Sequence, residues 1–492
     1  MTDITIEYFD DTYARVIADS SIRQELSDYF SFFIPNHFYN KKVKAGMWDG
    51  RIRLFGIRGE LPVGLIKKCH QFASENDYTI TDNVDLSNNI TDEQFNEWME
   101  RHPIYKDGLL IEPYIEQVAS VRYILERSRG LISLSTSGGK SAIIGLVSKY
   151  FLEHNPQKVL IVVPTTMLVY QMKEDLIEYQ LFDDEDILCI KSGTEKDDAT
   201  ARVYVSTYQS AIKQPQEWID QFGMLLNDEV HLAEGKSLSD INKSMTNCKY
   251  KAGLTGSLKD AKSHLLQLMG LFGSIFKPTT TSKMIKEGKI TPIIPVPIVL
   301  EYSKDIAKQM RKAKFNYQQE IKWLTSHPKR NAFIAKLAIA APDKNTIVLF
   351  KELSHGKELF SIINNSIKDT GRKCHYIAGD VKTDDRNKIK ALLENVSGDI
   401  VVASFGTMST GVSIDNLHRA VNAHPIKSKI INLQSIGRIL RKHTSKACAY
   451  WYDLIDDLTI KKHQNFAYKH GIERLRLYTR EKFNYTIKRI KM

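Results

Sequence analysis

Ser135-Thr136-Ser137-Gly138-Gly139-Lys140-Ser141 decides the fold when it is set beside Asp228-Glu229-Val230-His231 further down the chain. A glycine-rich turn ending in Lys and Ser, paired with an apolar run ending in two carboxylates, is what hydrolysis of a nucleoside triphosphate with magnesium requires. Before the turn, Gly130-Leu131-Ile132-Ser133-Leu134 reads as a short buried strand; after it, Ala142 to Val147 reads as the start of a helix. A loop between strand and helix brings backbone N–H groups and the helix dipole onto phosphate oxygens, and glycines allow the close approach. On this reading Thr136, Ser137, Gly138 and Gly139 form the cradle, Lys140 sits on the outer phosphates and Ser141 ligates magnesium. Leu134 departs from the usual pattern, which asks for a small residue at that position.

Phe222 to Leu226 (FGMLL) is apolar enough for a central strand, and Asp228 and Glu229 follow at its carboxyl end, where α/β sheets bind their ligands. Asp228 is expected to hold magnesium through water, and Glu229 to orient or deprotonate the attacking water. His231 has two readings: a structural histidine after a strand or, within DEVH, a residue that couples the γ-phosphate to the rest of the site.

At 492 residues the chain is too long for one core. The net charge of +11 is unevenly spread: Thr459 to Met492 holds ten Lys or Arg against two Glu, or +8. Such a segment suits an anionic partner, nucleic acid or acidic membrane, unless it is only a solvated helix face. Cys69, Cys189, Cys248, Cys374 and Cys448 are scattered without CxxC or Cys/His clustering, which argues against a zinc site or a disulfide framework. The acidic amino terminus, MTDITIEYFDD, lacks an apolar core, and no stretch reaches the length of a membrane span. The expectation is a soluble cytoplasmic protein with no membrane partner, and a monomer.

Short β-branched runs alternate with helical patterns through the middle of the chain, as in parallel βαβ units. Strands are expected at 159–163, 202–206, 224–228 and 249–254, then at 346–350, 373–377, 399–403, 419–423 and 447–453. The proline-interrupted extended stretch Thr291 to Leu300 reads as the crossing into a second unit. In the second unit Gln434-Ser435-Ile436-Gly437-Arg438-Ile439-Leu440-Arg441 stands out. On a helix Arg438 and Arg441 share a face, and both guanidinium groups can then meet a γ-phosphate across a cleft. Before residue 101, Lys41, Lys42, Lys44, Trp48, Arg51 and Arg53 gather around a turn at Asp49-Gly50. Cations hold phosphates and an indole stacks on bases, although Trp48 also fits a core position.

In their order, these motifs resemble the superfamily 2 helicases of the DExH type. Gln117 after Pro113-Tyr114 resembles the adenine-reading glutamine, Val163-Pro164-Thr165 motif Ia, Ser206-Thr207-Tyr208-Gln209 motif Ib, and Leu254-Thr255-Gly256-Ser257 motif III. Phe350-Lys351 resembles motif IV, Ser404 to Ile414 with Thr407, Thr410 and Gly411 motif V, and Gln434 to Arg441 motif VI; Ser413 stands where many relatives carry an acid. The flanks Tyr39 to Leu54 and Lys427 to Lys442, with Phe483-Asn484-Tyr485, are similar to the UvsW-like phage recombination helicases.

The resemblance implies two tandem RecA-like parallel-sheet domains at 102–280 and 281–458, a small α+β DNA-binding domain at 1–101 and a basic helical tail at 459–492. It implies ATP and Mg2+ as cofactors, with Gln117 and Gly411 at the nucleotide and Gln434, Arg438 and Arg441 in catalysis. Thr165, Thr207, Gln209, Lys351, Thr407, Lys42, Lys44, Trp48 and Arg51 are the expected DNA contacts. The activity implied is ATP-dependent unwinding, migration or reannealing of branched DNA: Holliday junctions, stalled forks and R-loops, hence RNA–DNA hybrids as well. Competing readings are a DExH RNA helicase, a duplex translocase that does not unwind, and a binding protein with a vestigial ATP site.

Overall fold

The computed structural model describes residues 2–492 apart from 35, 136, 191–199, 232–234, 257, 259–261, 380, 382 and 410–413. The chain divides into two units, Met1–Leu134 with Gly138–Pro278, and Thr279–Met492 with Ser135–Ser137.

The first unit is built on a seven-stranded parallel sheet. From edge to edge the strands run Ile187–Ile190, Val203–Thr207, Lys158–Val163, Phe222–Asn227, Tyr250–Thr255, Arg129–Ser133 and Ile275–Phe276. Val159 to Val163 are each fully buried. A continuous apolar run of this kind is what a strand covered on both faces requires, and helices such as Lys140–His154 and Thr166–Glu178 supply the cover. The expected strands stand within one or two residues of those found. Because all seven point the same way, their carboxyl ends share one edge.

Residues 4–82 form a smaller α+β layer in the same unit. Its four strands lie in the order Glu60–Pro62, Tyr13–Ala18, Ile4–Tyr8 and Ile80–Asp82. Helices Ser20–Tyr29 and Ile66–Glu75 cover them, and Ile4, Ile6, Leu26, Phe30 and Cys69 are fully buried between. The layer docks tightly on the large sheet: a side chain at Gly64 would collide with the backbone of Met269 and come 2.6 Å from Gly273 N. Lys251 Nζ donates to Thr12 Oγ1 at 2.7 Å and to Asn242 O at 3.0 Å, and Arg129 donates to Asp11 O. Further along, helix Asp92–Arg101 leans on the phosphate-loop helix, where Trp98 Nε1 donates to Glu153 Oε2 at 2.7 Å and His102 Nε2 meets Oε1 at 2.7 Å.

The second unit repeats the parallel seven-stranded plan, in the order Cys374–Ile377, Ile400–Ser404, Thr346–Phe350, Arg419–Asn422, Ala449–Asp457, Ile293–Glu301 and Lys488–Lys491. Two departures from the sequence reading stand out. The stretch expected to be a crossing is a nine-residue strand, Ile293–Glu301, paired along its whole length with Ala449–Asp457. Proline is tolerated there because of direction. Pro292 O accepts from Ala449 N and Glu301 O accepts from Met492 N, so even-numbered residues bond one neighbour and odd-numbered residues face the other. Pro295 and Pro297 therefore need no N–H on the side where Lys488–Lys491 begins pairing only at Ile298.

The basic tail is also more than a helix. Helix Phe466–Arg480 packs on the sheet and buries Leu477, and the chain then returns as an edge strand. Its Arg474 is buried, with Nε 2.9 Å from both Asp453 oxygens and Nη1 and Nη2 donating to Ile426 O and Leu454 O. Tyr478 and Asn422 donate to the same carboxylate at 2.8 and 2.9 Å. Part of the tail's positive charge is thus structural.

Removing one partner of a satisfied buried pair strands the other charge. Arg474→Ala is expected to destabilise the second unit by about 3–5 kcal/mol. Calorimetry of the whole chain would show a lowered melting transition for that unit, and an unchanged trace would contradict the account.

Candidate active site

Three consecutive strands bring the chemistry to one edge of the first sheet. Arg129–Ser133 leads into the glycine turn, Tyr250–Thr255 is its neighbour, and Phe222–Asn227 on the far side of that neighbour leads into Asp228 and Glu229. Gly139 has φ +72° and stands at the start of helix Lys140–His154, so the turn presents the free N–H groups of a fifteen-residue helix. Gly138 and Gly139 leave no room for a Cβ: one would strike the Leu134 side chain, the other the Gln117 amide. The leucine that departs from the usual pattern is thus 2% exposed and packed beneath the glycine it constrains. Thr136 lies outside the described residues; Ser137 is half-buried in the turn.

Lys140 is buried and its Nζ lies 3.1 Å from Glu229 Oε1. The other oxygen of Glu229 is 3.2 Å from His231 Nδ1 and accepts from Gly256 N at 3.4 Å; the same His231 Nδ1 is 2.5 Å from Thr255 Oγ1. Lys140, Glu229, His231 and Thr255 form one buried chain of contacts across three strands. Glu229 adopts φ +47°, a left-handed conformation unfavourable for a residue with a side chain and held by this network. His231 is 1% exposed within this network.

Asp228 is anchored through its backbone: its N donates to Val162 O at 2.9 Å, and its O accepts from Tyr208 Oη at 3.0 Å. Burial, and then the adjacent Glu229 charge, raise its carboxyl to about 7. Burial would push Glu229 the same way, but Lys140 and His231 hold it below the ordinary carboxylate range. The pair is therefore split into one proton-retaining and one ionised carboxyl.

Ser141 Oγ lies 3.0 Å from Tyr179 Oη, a contact that no sequence spacing would reveal, since 38 residues separate the two. Gln117 donates to Gly138 O and Gly139 O at 3.2 and 3.3 Å while its Oε1 accepts from Tyr114 N at 2.7 Å. It braces the turn from behind. Asp228 and Ser141 are oxygen donors of the kind a divalent cation takes. Among the described residues no group of three or more His, Cys, Asp or Glu could hold a metal, so such an ion here would complete its shell with phosphate and water oxygens.

The expected DNA contacts of the first unit lie on the same edge. Thr165 and Thr207 cap helices, their hydroxyls accepting from Leu168 N at 3.4 Å and Ser210 N at 3.3 Å, and Gln209 is exposed beside them. In the layer of residues 4–82, Lys42 and Lys44 are exposed, Arg51 is partly exposed, and half-buried Trp48 donates its Nε1 to Arg51 O at 2.9 Å.

Within the second unit Lys351 is exposed at the end of strand Thr346–Phe350, while Thr407 is buried with its hydroxyl 3.0 Å from Ser404 Oγ. Thr410, Gly411 and Ser413 lie outside the described residues. Gln434 and Arg438 are buried on helix Lys429–Ile439. Arg441 is not on that helix, contrary to the shared-face expectation. The helix ends at Ile439, whose carbonyl accepts from Lys446 Nζ at 3.0 Å, and Arg441 Nη1 pairs instead with Asp415 at 3.5 Å.

Residues 3–83 match the family described as DNA helicase UvsW, N-terminal, and residues 108–260 match that of the type III restriction enzyme, res subunit. The chain is 42% identical to the ATP-dependent DNA helicase uvsW of Enterobacteria phage T4, over the full length of both. It is 32% identical to the DNA 3'-5' translocase XPB2 of Sulfurisphaera tokodaii over 34% of this chain and 36% of that one. The crystal structure of T4 UvsW matches over all of both chains, with a TM-score of 0.55 and 40% identity. The fragment structure of an HsdR subunit of a type I restriction enzyme from Vibrio vulnificus shares the fold, with a TM-score of 0.58 at 16% identity over 82% of this chain and 72% of that one. With its two parallel-sheet units and its phosphate turn, this chain belongs to the family of the phage ATP-dependent DNA helicase UvsW.

Proposed function

We propose that the chain uses magnesium-ATP to remodel branched DNA: migrating Holliday junctions, regressing forks, unwinding R-loops and annealing strands. The observation that carries the catalytic half is the buried chain of Lys140, Glu229, His231 and Thr255 at one sheet edge. Lys140 exchanges Glu229 for a phosphate oxygen, which leaves the Glu229 carboxylate to orient the attacking water and accept its proton. His231 and Thr255 hold that carboxylate in its strained conformation. Ser141 and Asp228 would hold the magnesium ion, which neutralises charge developing on the phosphates. Thr136, Ser137, Gly138 and Gly139 bind the phosphates and Gln117 reads the adenine; Gly411, Gln434, Arg438 and Arg441 of the second unit complete turnover.

For DNA we propose Thr165, Thr207, Gln209, Lys351 and Thr407 as contacts to the backbone, with Lys42, Lys44, Trp48 and Arg51 engaging the branch. Residues 1–101 serve as the branch-engaging domain, 102–280 and 281–458 as the two motor domains, and 459–492 as a tail attached to the second. The protein acts as a monomer in the host-cell cytoplasm; among the described residues no helix is long and apolar enough to cross a membrane. ATPase rates at fixed salt on single-stranded, duplex, forked, four-way and RNA–DNA hybrid substrates test the assignment. Equal stimulation by plain duplex and by every branched form would contradict it.

Lys140→Ala is expected to abolish ATP turnover and retain most DNA affinity, measured by phosphate release and by equilibrium binding. Arg438→Ala is expected to bind ATP and lose about 10³-fold or more in DNA-stimulated turnover; wild-type turnover would remove it from catalysis. The raised Asp228 carboxyl gives a pH signature. Below about 7 it holds a proton that the metal must displace, so magnesium affinity falls with pH. The Mg2+ concentration needed for tight nucleotide binding should rise more steeply between pH 8 and 6 in the wild type than in Asp228→Asn, which keeps only the nucleotide's own titration. Identical slopes would sink this role for Asp228.

A further inference from the structure

Strands Ser31–Phe33 and Arg51–Arg53 pair antiparallel and close off the excursion of residues 34–50. On it Phe38 is 70% exposed, Tyr39 78% and Met47 80%. Scattered exposed apolar residues need no explanation, but three in one short excursion, interleaved with Lys41, Lys42 and Lys44, do. The excursion is well tied. Asn40 Oδ1 accepts from Lys42 N at 2.9 Å, Met47 N donates to Lys42 O at 2.9 Å, and Ile34 N donates to Gly50 O at 3.0 Å. Gly50, at φ +81°, lets the chain pass against His37, whose Cβ would lie 2.8 Å from any added side chain. The apolar groups are therefore held outward by a built turn.

The rings already lie against one another. His37 lies parallel to Phe33 at 4.5 Å and 19°, and Phe38 lies on His37 at 3.8 Å and 37°. Arg51 sits 4.5 Å over Phe33, and Lys44 5.7 Å over Tyr39. Asn40, Lys41, Lys42, Met47 and Trp48 line an open concavity beside this stack. We propose that this surface captures unpaired bases at a DNA branch: Phe38, Tyr39 and Met47 stack on the bases while Lys41, Lys42 and Lys44 hold the flanking phosphates. The inference rests on the reading that residues 1–101 engage branched DNA, and it adds which part of the DNA they grip. Charge complementarity selects a nucleic acid, and the exposed rings select its unpaired region, because a closed duplex offers backbone to the lysines and no base face to the rings.

The test uses the full chain, equilibrium binding at fixed salt, and two DNAs: a closed duplex and a fork with a short single-stranded gap at the branch point. Phe38→Ala/Tyr39→Ala/Met47→Ala should weaken the gapped fork about 5- to 150-fold per stacked base, leave the duplex unchanged and keep the salt slope. Lys42→Ala/Lys44→Ala should weaken both DNAs and flatten the salt slope. Replacing the gap bases by abasic sugars should weaken wild-type binding of the fork by about 5- to 150-fold per stacked base, a readout independent of whether the variant folds. Loss in the lysine variant alone, with no effect of the triple variant or of abasic sugars, overturns stacking, leaves branch engagement standing and assigns the apolar side chains to a protein contact. No loss in either variant overturns branch engagement itself.

Discussion

A buried ion pair, Lys140 with Glu229, governs the first unit. Lys140 is 6% exposed and Glu229 9%, so neither charge can go unpartnered without a desolvation cost of several kcal/mol. Bringing them together requires the end of one strand to lie two places from the end of another, with the strand that carries Thr255 between them. Only a sheet whose strands all run the same way delivers the glycine turn, the hydroxyl and both carboxylates to one edge. The pair is also exchangeable: a phosphate oxygen can replace the carboxylate on the lysine without leaving a buried cation alone.

The sequence showed the strands that behave simply. Runs such as Val159 to Val163 are buried on both faces and carry their identity in composition, and the glycine turn and DEVH carry theirs in spacing. Where the reading missed, tertiary context had overridden a local rule. The extended stretch holding Pro295 and Pro297 reads as a crossing, yet hydrogen-bond direction along Ile293–Glu301 makes their missing donors harmless and the stretch pairs as a strand. Three-residue spacing placed Arg438 and Arg441 on one helix face, yet the helix ends at Ile439, whose carbonyl is taken by Lys446 from beyond the helix. The tail looked like a solvated or DNA-facing helix because Asp453, which neutralises Arg474, is distant in sequence. Tyr179 gave no signal, since its partner Ser141 belongs to a different motif.

One strand joins the small layer to the chemistry. Tyr250–Thr255 carries Lys251 near its start and Thr255 at its end. Lys251 is 1% exposed and donates to Thr12 of the small layer and to Asn242 O; burial, with Arg129 nearby, lowers its ammonium to about 7. An ammonium held so near neutrality is sensitive to the exact placement of its oxygen acceptors. At the other end, Thr255 meets His231, which meets Glu229. The strand between pairs with Phe222–Asn227 over Tyr250 to Gly253 and with Arg129–Ser133 over Lys251 to Thr255, which ties its parts together. A shift of the small layer that drew Thr12 away would therefore have to move the strand or cost the buried Lys251 amine one of its two acceptors. Moving the strand moves the hydroxyl that fixes His231. One strand thus carries both the contact to the layer that bears the exposed aromatic turn and the hydroxyl beside His231; under the roles proposed for that turn and for Glu229, it is a mechanical route between a DNA branch and hydrolysis.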